Sequence, residues 1–319
     1  MRGYGVWLAA LCLASTVQAA PLPPTGQVVR DDSNHDVRLP ARVERIADGW
    51  YAHHVLLMTL GAGNRIVATV NHPQRQPWMF KVLPSLHQAM AIDGSAFNVE
   101  SLLAARVDLV FTSTADRQAL PYEQAGLPVM RMGYTDLPGL QRSMLATARA
   151  LGGAGPVERA KAYNGYLTDQ LTRVQARVGD LPRAQRPRAL HIASINPLKV
   201  DGSDTLIDQW IELAGGRNAA QGLKGNLQAV SAEQLLVWQP DVLILAANAG
   251  DISQSPLLQQ LAAVQQGRVL RNPRRRVSMG PLRHRGRPAA GVGRATAASR
   301  SLHGRRHGRS NDGFLSALF

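Results

Sequence analysis

Short apolar runs alternate with amphipathic segments from residue 45 to residue 136. Arg45–Ala47, Arg65–Val70 and Val129–Met132 are rich in β-branched or large apolar residues and predict strands. His53–Leu60 predicts a helix, and the glycine at position 61 is a helix stop signal. Because short strands alternate with helices, the pattern favours a parallel sheet covered on both faces.

One segment with this pattern occurs twice. Residues 98–111 read Asn-Val-Glu-Ser-Leu-Leu-Ala-Ala-Arg-Val-Asp-Leu-Val-Phe, and residues 231–244 read Ser-Ala-Glu-Gln-Leu-Leu-Val-Trp-Gln-Pro-Asp-Val-Leu-Ile. In each copy a glutamate, Glu100 or Glu233, opens a short helix, and an aspartate further on precedes an apolar strand. Two copies this far apart predict two similar α/β lobes rather than a short-period solenoid.

The chain between the two copies is helical in pattern from Leu137 to Val178, with a break at Gly152–Pro156. Apolar residues at helical spacing after the break predict a helix of about 22 residues, roughly 33 Å long, which could connect two lobes. A second α/β run starts at Arg188 and includes a helix over Leu206–Leu213. The sequence thus predicts an α/β protein of two Rossmann-like lobes with parallel sheets, joined by one long α-helix, with a ligand cleft between the lobes.

The predicted organisation has a targeting segment before the lobes and a basic segment after them. The parts are a signal peptide (1–19), a linker (20–40), an N-terminal lobe (41–136), a helical connection that includes the inter-lobe helix (137–180), a C-terminal lobe (187–272) and a basic tail (273–319). The signal is predicted from Arg2, the apolar run Val6–Leu13 and the small residues around Ala19. This apolar run is too short to span a bilayer.

The single cysteine, Cys12, lies inside the predicted signal. It follows Leu11 rather than the small residue that a lipoprotein signal requires. We therefore expect a protein exported to the periplasm without a lipid anchor, and a mature chain without a disulfide or a cysteine metal site.

The net charge of +14 is concentrated at the end of the chain. From Arg271 onward there are twelve arginines, no lysine and one acidic residue, Asp312, so the preceding residues are nearly neutral. A basic arm for nucleic acid or anionic lipid is one interpretation of this tail. The tail lacks aromatic residues interleaved with its arginines, and an exported protein seldom meets DNA, so we expect no nucleic-acid partner.

Several short motifs follow one another in order across both predicted lobes. They are Arg45–Ala47, Leu60–Val67, Asn98–Leu103 with Asp108–Val110, Asn196-Pro197 with Gly202, Ala214–Asn218, and Ser231–Leu235 with Pro240-Asp241. Each motif alone is weak, but their order and spacing over residues 41–272 are specific. In these motifs the chain resembles the periplasmic substrate-binding proteins of the iron-siderophore, haem and vitamin B12 ABC import systems, the class with a single rigid helix between its lobes.

This resemblance implies an exported solute receptor that delivers a metal chelate to an ABC permease in the inner membrane. A ferric siderophore is the first expectation, and haem and cobalamin are the alternatives. The resemblance further implies a monomer without enzymatic activity or a covalently bound cofactor. It also implies that Glu100 and Glu233 dock onto permease arginines. A carboxylate at a helix N-terminus can make such bidentate contacts, and it can equally serve only to complement the helix dipole.

The tail departs from the resemblance at about residue 274. Members of the family close the second lobe with a loop and a C-terminal helix, whereas this tail is rich in arginine and glycine. A one-nucleotide shift joins the codons of Met279 and Gly280 into TGG, which encodes tryptophan, and allows the expected closing sequence around it without a stop codon. We therefore expect the tail to be translated out of frame and disordered, which would leave the C-terminal lobe incomplete.

Candidate ligand contacts lie in the loops that follow the predicted strands, where ligands bind in open α/β sheets. The candidates are Trp50, Tyr51, His54, Arg75 and Trp78 in the first lobe and Asn196 and Lys199 in the second. Aromatic rings can pack on the apolar parts of a chelate, and the cationic side chains can offset its negative charge. For Trp50 and Tyr51, ordinary packing at a helix start is the alternative.

Two other classes of function remain open at this point. A receptor for a bare transition-metal ion would use His53 or His54, His72 and a carboxylate. Adjacent residues on a helix point about 100° apart, however, so His53 and His54 cannot easily bind one ion, and we expect no metal site of side chains alone. An exported α/β enzyme would need a catalytic motif, and the sequence has no Gly-x-Ser-x-Gly or phosphate loop, so we predict no catalytic residues.

Overall fold

The computed structural model describes residues 26–92, 94, 96–178 and 181–272. It begins with a β-hairpin of strands β1 (Gln27–Arg30) and β2 (Asp36–Leu39), which pair antiparallel. The hairpin turn packs on the first lobe, because the backbone N–H of Asp32 donates to the carbonyl of Arg131 and the Asp32 carboxylate accepts the Gly133 N–H. The predicted linker over residues 20–40 is therefore wrong for this part, which forms an ordered hairpin.

The first lobe contains a five-stranded sheet in the order β5-β4-β3-β6-β7, with all neighbours parallel. Its strands are β3 (Ile46–Asp48), β4 (Ile66–Thr69), β5 (Met90–Ala91), β6 (Leu109–Ser113) and β7 (Val129–Met132). Its helices are α1 (His54–Thr59), α2 (Pro77–Val82), α3 (Val99–Ala104) and α4 (Ala119–Gln124). The sheet buries apolar side chains on both faces, since Leu109, Val110 and Phe111 on successive positions of β6 are all inaccessible to solvent.

Two helices connect the lobes. Helix α5 (Leu137–Ala150) begins where the Asp136 side chain accepts the Gly139 N–H, and it is followed by Gly152 and Gly153 in the left-handed region. Helix α6 (Ala154–Val178) has 25 residues, and its standard rise gives about 37 Å. The structure thus contains the long inter-lobe helix that the sequence predicts.

The second lobe contains a six-stranded mixed sheet in the order β11-β9-β8-β12-β13, with β10 also paired to β8. Its strands are β8 (Arg188–Ile195), β9 (Leu198–Val200), β10 (Arg217–Asn218), β11 (Gln228–Ala229), β12 (Val242–Leu245) and β13 (Val269–Arg271). Its helices are α7 (Leu206–Leu213), α8 (Ala232–Trp238) and α9 (Ala262–Gln265). Strands β9 and β11 pair antiparallel, so this sheet departs from the fully parallel sheet expected for each lobe.

The lobes have separate apolar cores that meet at the connection. The core of the first lobe extends over α5 and α6, and Leu206 and Leu213 of α7 pack against its edge. The Gln209 side-chain oxygen on α7 accepts the backbone N–H of Leu137 at 2.6 Å. Helix α7 therefore anchors the second lobe to the start of α5 in addition to the covalent link through α6.

Within the described residues, no helix combines the length and apolar character needed to cross a membrane. The predicted signal peptide (1–19) and basic tail (273–319), including the proposed change of frame, lie outside the described residues.

Candidate ligand-binding site

The loop after the central strand β3 lies at the carboxyl edge of the first sheet. Its backbone turns immediately, with the N–H of Trp50 donating to the Asp48 carboxylate at 3.2 Å. Trp50 is half-buried and packs against Tyr134, with ring centroids 5.3 Å apart, whereas Tyr51 is 47% exposed. The loop therefore offers one exposed ring and one supported ring at the edge where ligands of such sheets bind.

The next loop, after β4, presents a third aromatic residue and two cations. Trp78, on the first turn of α2, is 38% exposed, and the Lys81 ammonium lies 4.8 Å from the centroid of its ring. Arg75 is exposed in the loop before that helix. These side chains form an accessible surface that combines an aromatic face with positive charge.

The two candidates in the second lobe lie on or beside the hairpin between β8 and β9. Asn196 is exposed at its tip, in a cis peptide bond with Pro197, and Lys199 is half-buried within β9. The hairpin contacts the loop after β12 through the Ile195 N–H, which donates to the carbonyl of Ala249 at 2.7 Å. The hairpin therefore lies at the carboxyl end of β8, beside the loop that follows β12.

His54 is not available to a ligand in this structure, which corrects its assignment as a ligand contact. Its ring is fully buried, with Nδ1 3.2 Å from Oδ2 of Asp48. The adjacent His53 is buried as well, and Asp48 lies between the two histidines.

Sequence reasoning missed Tyr134 and Asp48. Tyr134 follows β7 at the same sheet edge, and burial raises its pKa to about 12, with the nearby Asp32 adding to the effect. The pKa of Asp48 is about 2: burial alone would raise it, but the contacts with His53 and His54 outweigh burial. A polar residue directly after a buried strand was the available signal for Asp48, and an aromatic residue directly after β7 was the signal for Tyr134.

Glu100 and Glu233 both lie exposed in the first turn of short helices. Those helices begin alike, because the Asn98 side chain accepts the Ser101 N–H and the Ser231 side chain accepts the Gln234 N–H. The pKa of Glu233 is lowered by its own backbone N–H and then by Ser231. Neither glutamate forms an ion pair with another described residue.

A family model described as periplasmic binding protein matches residues 56–275, more than half of the chain. The chain belongs to the periplasmic binding protein family. Members of this family bind small molecules outside the cytoplasmic membrane and work with ABC permeases of the inner membrane, and they are transport proteins rather than enzymes.

Solved structures of binding proteins share the fold. The molybdate-bound MolA of Haemophilus influenzae is 19% identical, with a TM-score of 0.70 over 77% of this chain and 83% of that one. Ceue of Helicobacter pylori with bound Ni(II) is 17% identical, with a TM-score of 0.65 over 80% and 84%. The haem-binding RhuT of a Roseiflexus species is 22% identical, with a TM-score of 0.58 over 72% and 89%. At these identities the likeness establishes the two-lobed fold of this binding protein.

Proposed function

We propose that this binding protein is the exported receptor for a metal chelate, with a ferric siderophore as the first candidate and haem or cobalamin as alternatives. The observation that carries the proposal is that the loops after the neighbouring strands β3 and β4 expose Tyr51 and Trp78, with Lys81 4.8 Å from the Trp78 ring and Arg75 exposed in the second loop. Aromatic faces suit the apolar rings of a chelate, and the cations suit its anionic groups. Asn196 and Lys199 would contact the ligand from the second lobe.

A chelate fits the described residues better than a bare metal ion. Among them there is no group of three or more His, Cys, Asp or Glu side chains placed to hold a metal. His53 and His54 are buried, and the His72 Nε2 contacts the carbonyl of Ile92 at 2.8 Å. The histidines of the bare-metal alternative therefore do not converge on one accessible point.

Binding to a panel of compounds tests the proposal. A ferric hydroxamate, a ferric catecholate, haemin and cyanocobalamin would be titrated while tryptophan emission is followed, with molybdate, Ni²⁺, Zn²⁺ and Mn²⁺ as comparison ligands. We expect tight binding of one chelate, weakened by Trp50→Ala or Trp78→Ala. Trp238→Phe on α8 is the matched control and should leave the affinity unchanged. Tight binding of only a bare metal ion or of molybdate would contradict the proposal.

We propose that Glu100 and Glu233 form the docking contacts with the permease. Both carboxylates are exposed without an ion-pair partner among the described residues, and each has an exposed apolar neighbour on its helix, Leu103 at 47% and Val237 at 76%. An accessible carboxylate beside an apolar side chain suits a bidentate contact with arginine at a protein interface.

Reversing the charge of Glu100 and Glu233 tests docking to the permease independently of ligand binding. Glu100→Arg and Glu233→Arg should abolish ligand-dependent stimulation of the permease ATPase in vesicles while leaving ligand affinity unchanged. Glu158→Arg provides the control, since Glu158 is an exposed glutamate on a different helix, α6. Full stimulation by the double variant would show that the two glutamates only complement their helix dipoles.

We also propose that residues 1–19 form a cleaved signal without lipid attachment, that the protein is a monomer without a nucleic-acid partner, and that the chain from about residue 274 is read out of frame. The presence of arginine without lysine in the last segment supports the change of frame. Resequencing the gene and mass spectrometry of the exported protein test these points. Recovery of the arginine-rich peptide after residue 274 from the mature protein would refute the change of frame.

A further inference from the structure

The turn of the N-terminal hairpin contains two adjacent aspartates that make different contacts. Asp31 is buried, and its Oδ1 accepts the backbone N–H groups of Ser33 at 2.8 Å and His35 at 2.9 Å, so it holds the turn together. Asp32 reaches out of the hairpin, where its Oδ2 accepts the backbone N–H of Gly133 at 2.9 Å. Asp32 therefore holds the chain that follows β7 rather than the turn itself.

Gly133 is confined from the other side by the loop after β6. A Cβ atom at this position would lie 2.6 Å from Oγ1 and 2.7 Å from Cγ2 of Thr114, so the two loops approach closely only because the residue is glycine. The Thr114 N–H donates to the carbonyl of Met132 at 3.0 Å. The backbone is thus fixed between Asp32 and Thr114 immediately before Tyr134.

Tyr134 connects this fixed point to the loop after β3. Its ring packs on Trp50, with centroids 5.3 Å apart and an angle of 56° between the ring planes. Burial raises the pKa of Tyr134 to about 12, and the Asp32 carboxylate, which lies near it, adds to the effect. Trp50 is only half-buried, so the orientation of its ring depends on the rings that pack against it, Tyr134 and His53.

The hairpin has anchors on the first lobe that do not involve the Asp32 carboxylate. Val29, Val37 and Leu39 are buried in the core of that lobe. The Gln27 side chain donates to the carbonyl of the last residue of α5 at 3.0 Å. Loss of the carboxylate alone should therefore leave the hairpin in place and release the Gly133 N–H that it holds.

We propose that Asp32 is a positioning residue of the ligand surface, because it fixes Gly133 and so places Tyr134 against the ring of Trp50. Asp32 acts through these residues and does not touch the ligand. The N-terminal hairpin then serves ligand binding as well as the packing of the first lobe. The ligand part of this inference rests on the proposed function, whereas the positioning of Trp50 does not.

The accessibility of Trp50 tests the inference without a ligand. In Asp32→Ala the Gly133 amide should exchange about tenfold faster, as the loss of one hydrogen bond to a charged acceptor implies. Acrylamide quenching of Trp50 emission, isolated by subtracting Trp50→Phe, should increase in the same variant. Asp32→Asn keeps an oxygen that can accept the Gly133 N–H, so it should restore both readouts. If Asp32→Ala lowered only the urea midpoint and left Trp50 quenching in the folded protein unchanged, the role of Asp32 would be structural and the inference would be wrong.

Asp36→Ala is the matched control for these measurements. Asp36 is an exposed aspartate of the same hairpin that pairs with Arg30, so its loss should change neither readout. Gly133→Ala keeps the test decisive if Asp32→Ala does not fold. The added methyl group must displace Thr114 or the chain before Tyr134, so Trp50 quenching should again increase. Wild-type quenching in the folded Gly133→Ala variant would contradict the inference.

Ligand affinity distinguishes this inference from the proposed function. A ferric hydroxamate labelled with radioactive iron should bind about tenfold more weakly to Asp32→Ala than to the wild type or to Asp32→Asn. Equal affinity in all three proteins would overturn the ligand part of the inference. If the wild type bound no chelate of the panel, the proposed function would fail, while the quenching of Trp50 would still decide whether Asp32 positions that ring.

Discussion

The two lobes place opposite members of an acid–histidine pair at the same position of their sheets. In the first lobe Asp48 lies opposite Phe111 in the pairing of β3 with β6. In the second lobe His191 lies opposite Ile244 in the pairing of β8 with β12. Phe111 and Ile244 are equivalent residues of the repeated segment, so the position is the same while the acid and the histidine are exchanged.

The surroundings of the two pairs differ. His191 contacts Asp201 through Nδ1 at 2.6 Å, and its Nε2 has no hydrogen-bond partner. Asp201 also accepts the Leu227 N–H at 2.9 Å, which ties the end of β9 to the chain before β11. Asp201 thus contacts one histidine, whereas Asp48 lies between two, His53 and His54. The same sheet position therefore holds the loop that carries Trp50 in one lobe and the chain before the edge strand β11 in the other.

The largest expected difference between the two pairs is the loss of stability when the aspartate is replaced. Asp48→Asn removes a buried carboxylate that lies between two buried histidines and should lower stability by about 3–5 kcal/mol. Asp201→Asn weakens one hydrogen bond to His191 and should cost only about 1–3 kcal/mol. Urea denaturation at neutral pH, followed by circular dichroism, measures both. Equal losses would show that the second histidine contact of Asp48 adds no stability.

The next prediction concerns the dependence of stability on acid pH in the first-lobe pair. The pKa of Asp48 is about 2, below the ordinary value of 3.8 that the unfolded chain would show. Because the pKa of Asp48 is lower in the folded protein than in the unfolded chain, its carboxylate stabilises the fold fully above about pH 3.8. This stabilisation is lost as the pH falls to about 2. The shift corresponds to about 2 kcal/mol. Asp48→Asn should remove this part of the pH dependence of the free energy of unfolding between about pH 4 and pH 2. If the free energy of unfolding of that variant still fell with pH as steeply as in the wild type, the low pKa of Asp48 would be contradicted.

Much of the architecture could be predicted from local pattern. The strand Val129–Met132 and the helix Leu206–Leu213 have the bounds that the sequence predicts. Periodic apolar positions and helix caps act within a few residues, so they can be recognised without tertiary contacts. The hairpin over Gln27–Leu39 could not be predicted in this way, because its turn is held by contacts with Arg131 and Gly133, about a hundred residues away.

The candidate site was predictable in position but not in detail. The loops that follow the strands could be located from the pattern, and with them Trp50, Tyr51 and Trp78. The burial of both His53 and His54 depends on Asp48 from the strand and Thr147 from α5, which meet only in the folded lobe. Adjacent residues of an ideal helix point in different directions, so helix geometry alone does not reveal that His53 and His54 share Asp48 as a partner.

The smallest expected difference in stability is between variants of Asp108 and Asp241, the aspartates that precede the strand in the two copies of the repeated segment. Asp108 accepts the backbone N–H groups of Glu44 and Arg45, both at 2.8 Å, whereas Asp241 accepts only that of Arg188 among the described residues. Asp108→Ala should therefore cost about 2 kcal/mol and Asp241→Ala about 1 kcal/mol, since both sites are partly open to water. Hydrogen exchange should show faster exchange at Glu44 and Arg45 in the first variant and at Arg188 in the second. A larger effect of Asp241→Ala would mean that the second lobe depends on this strand connection more than its hydrogen bonds indicate.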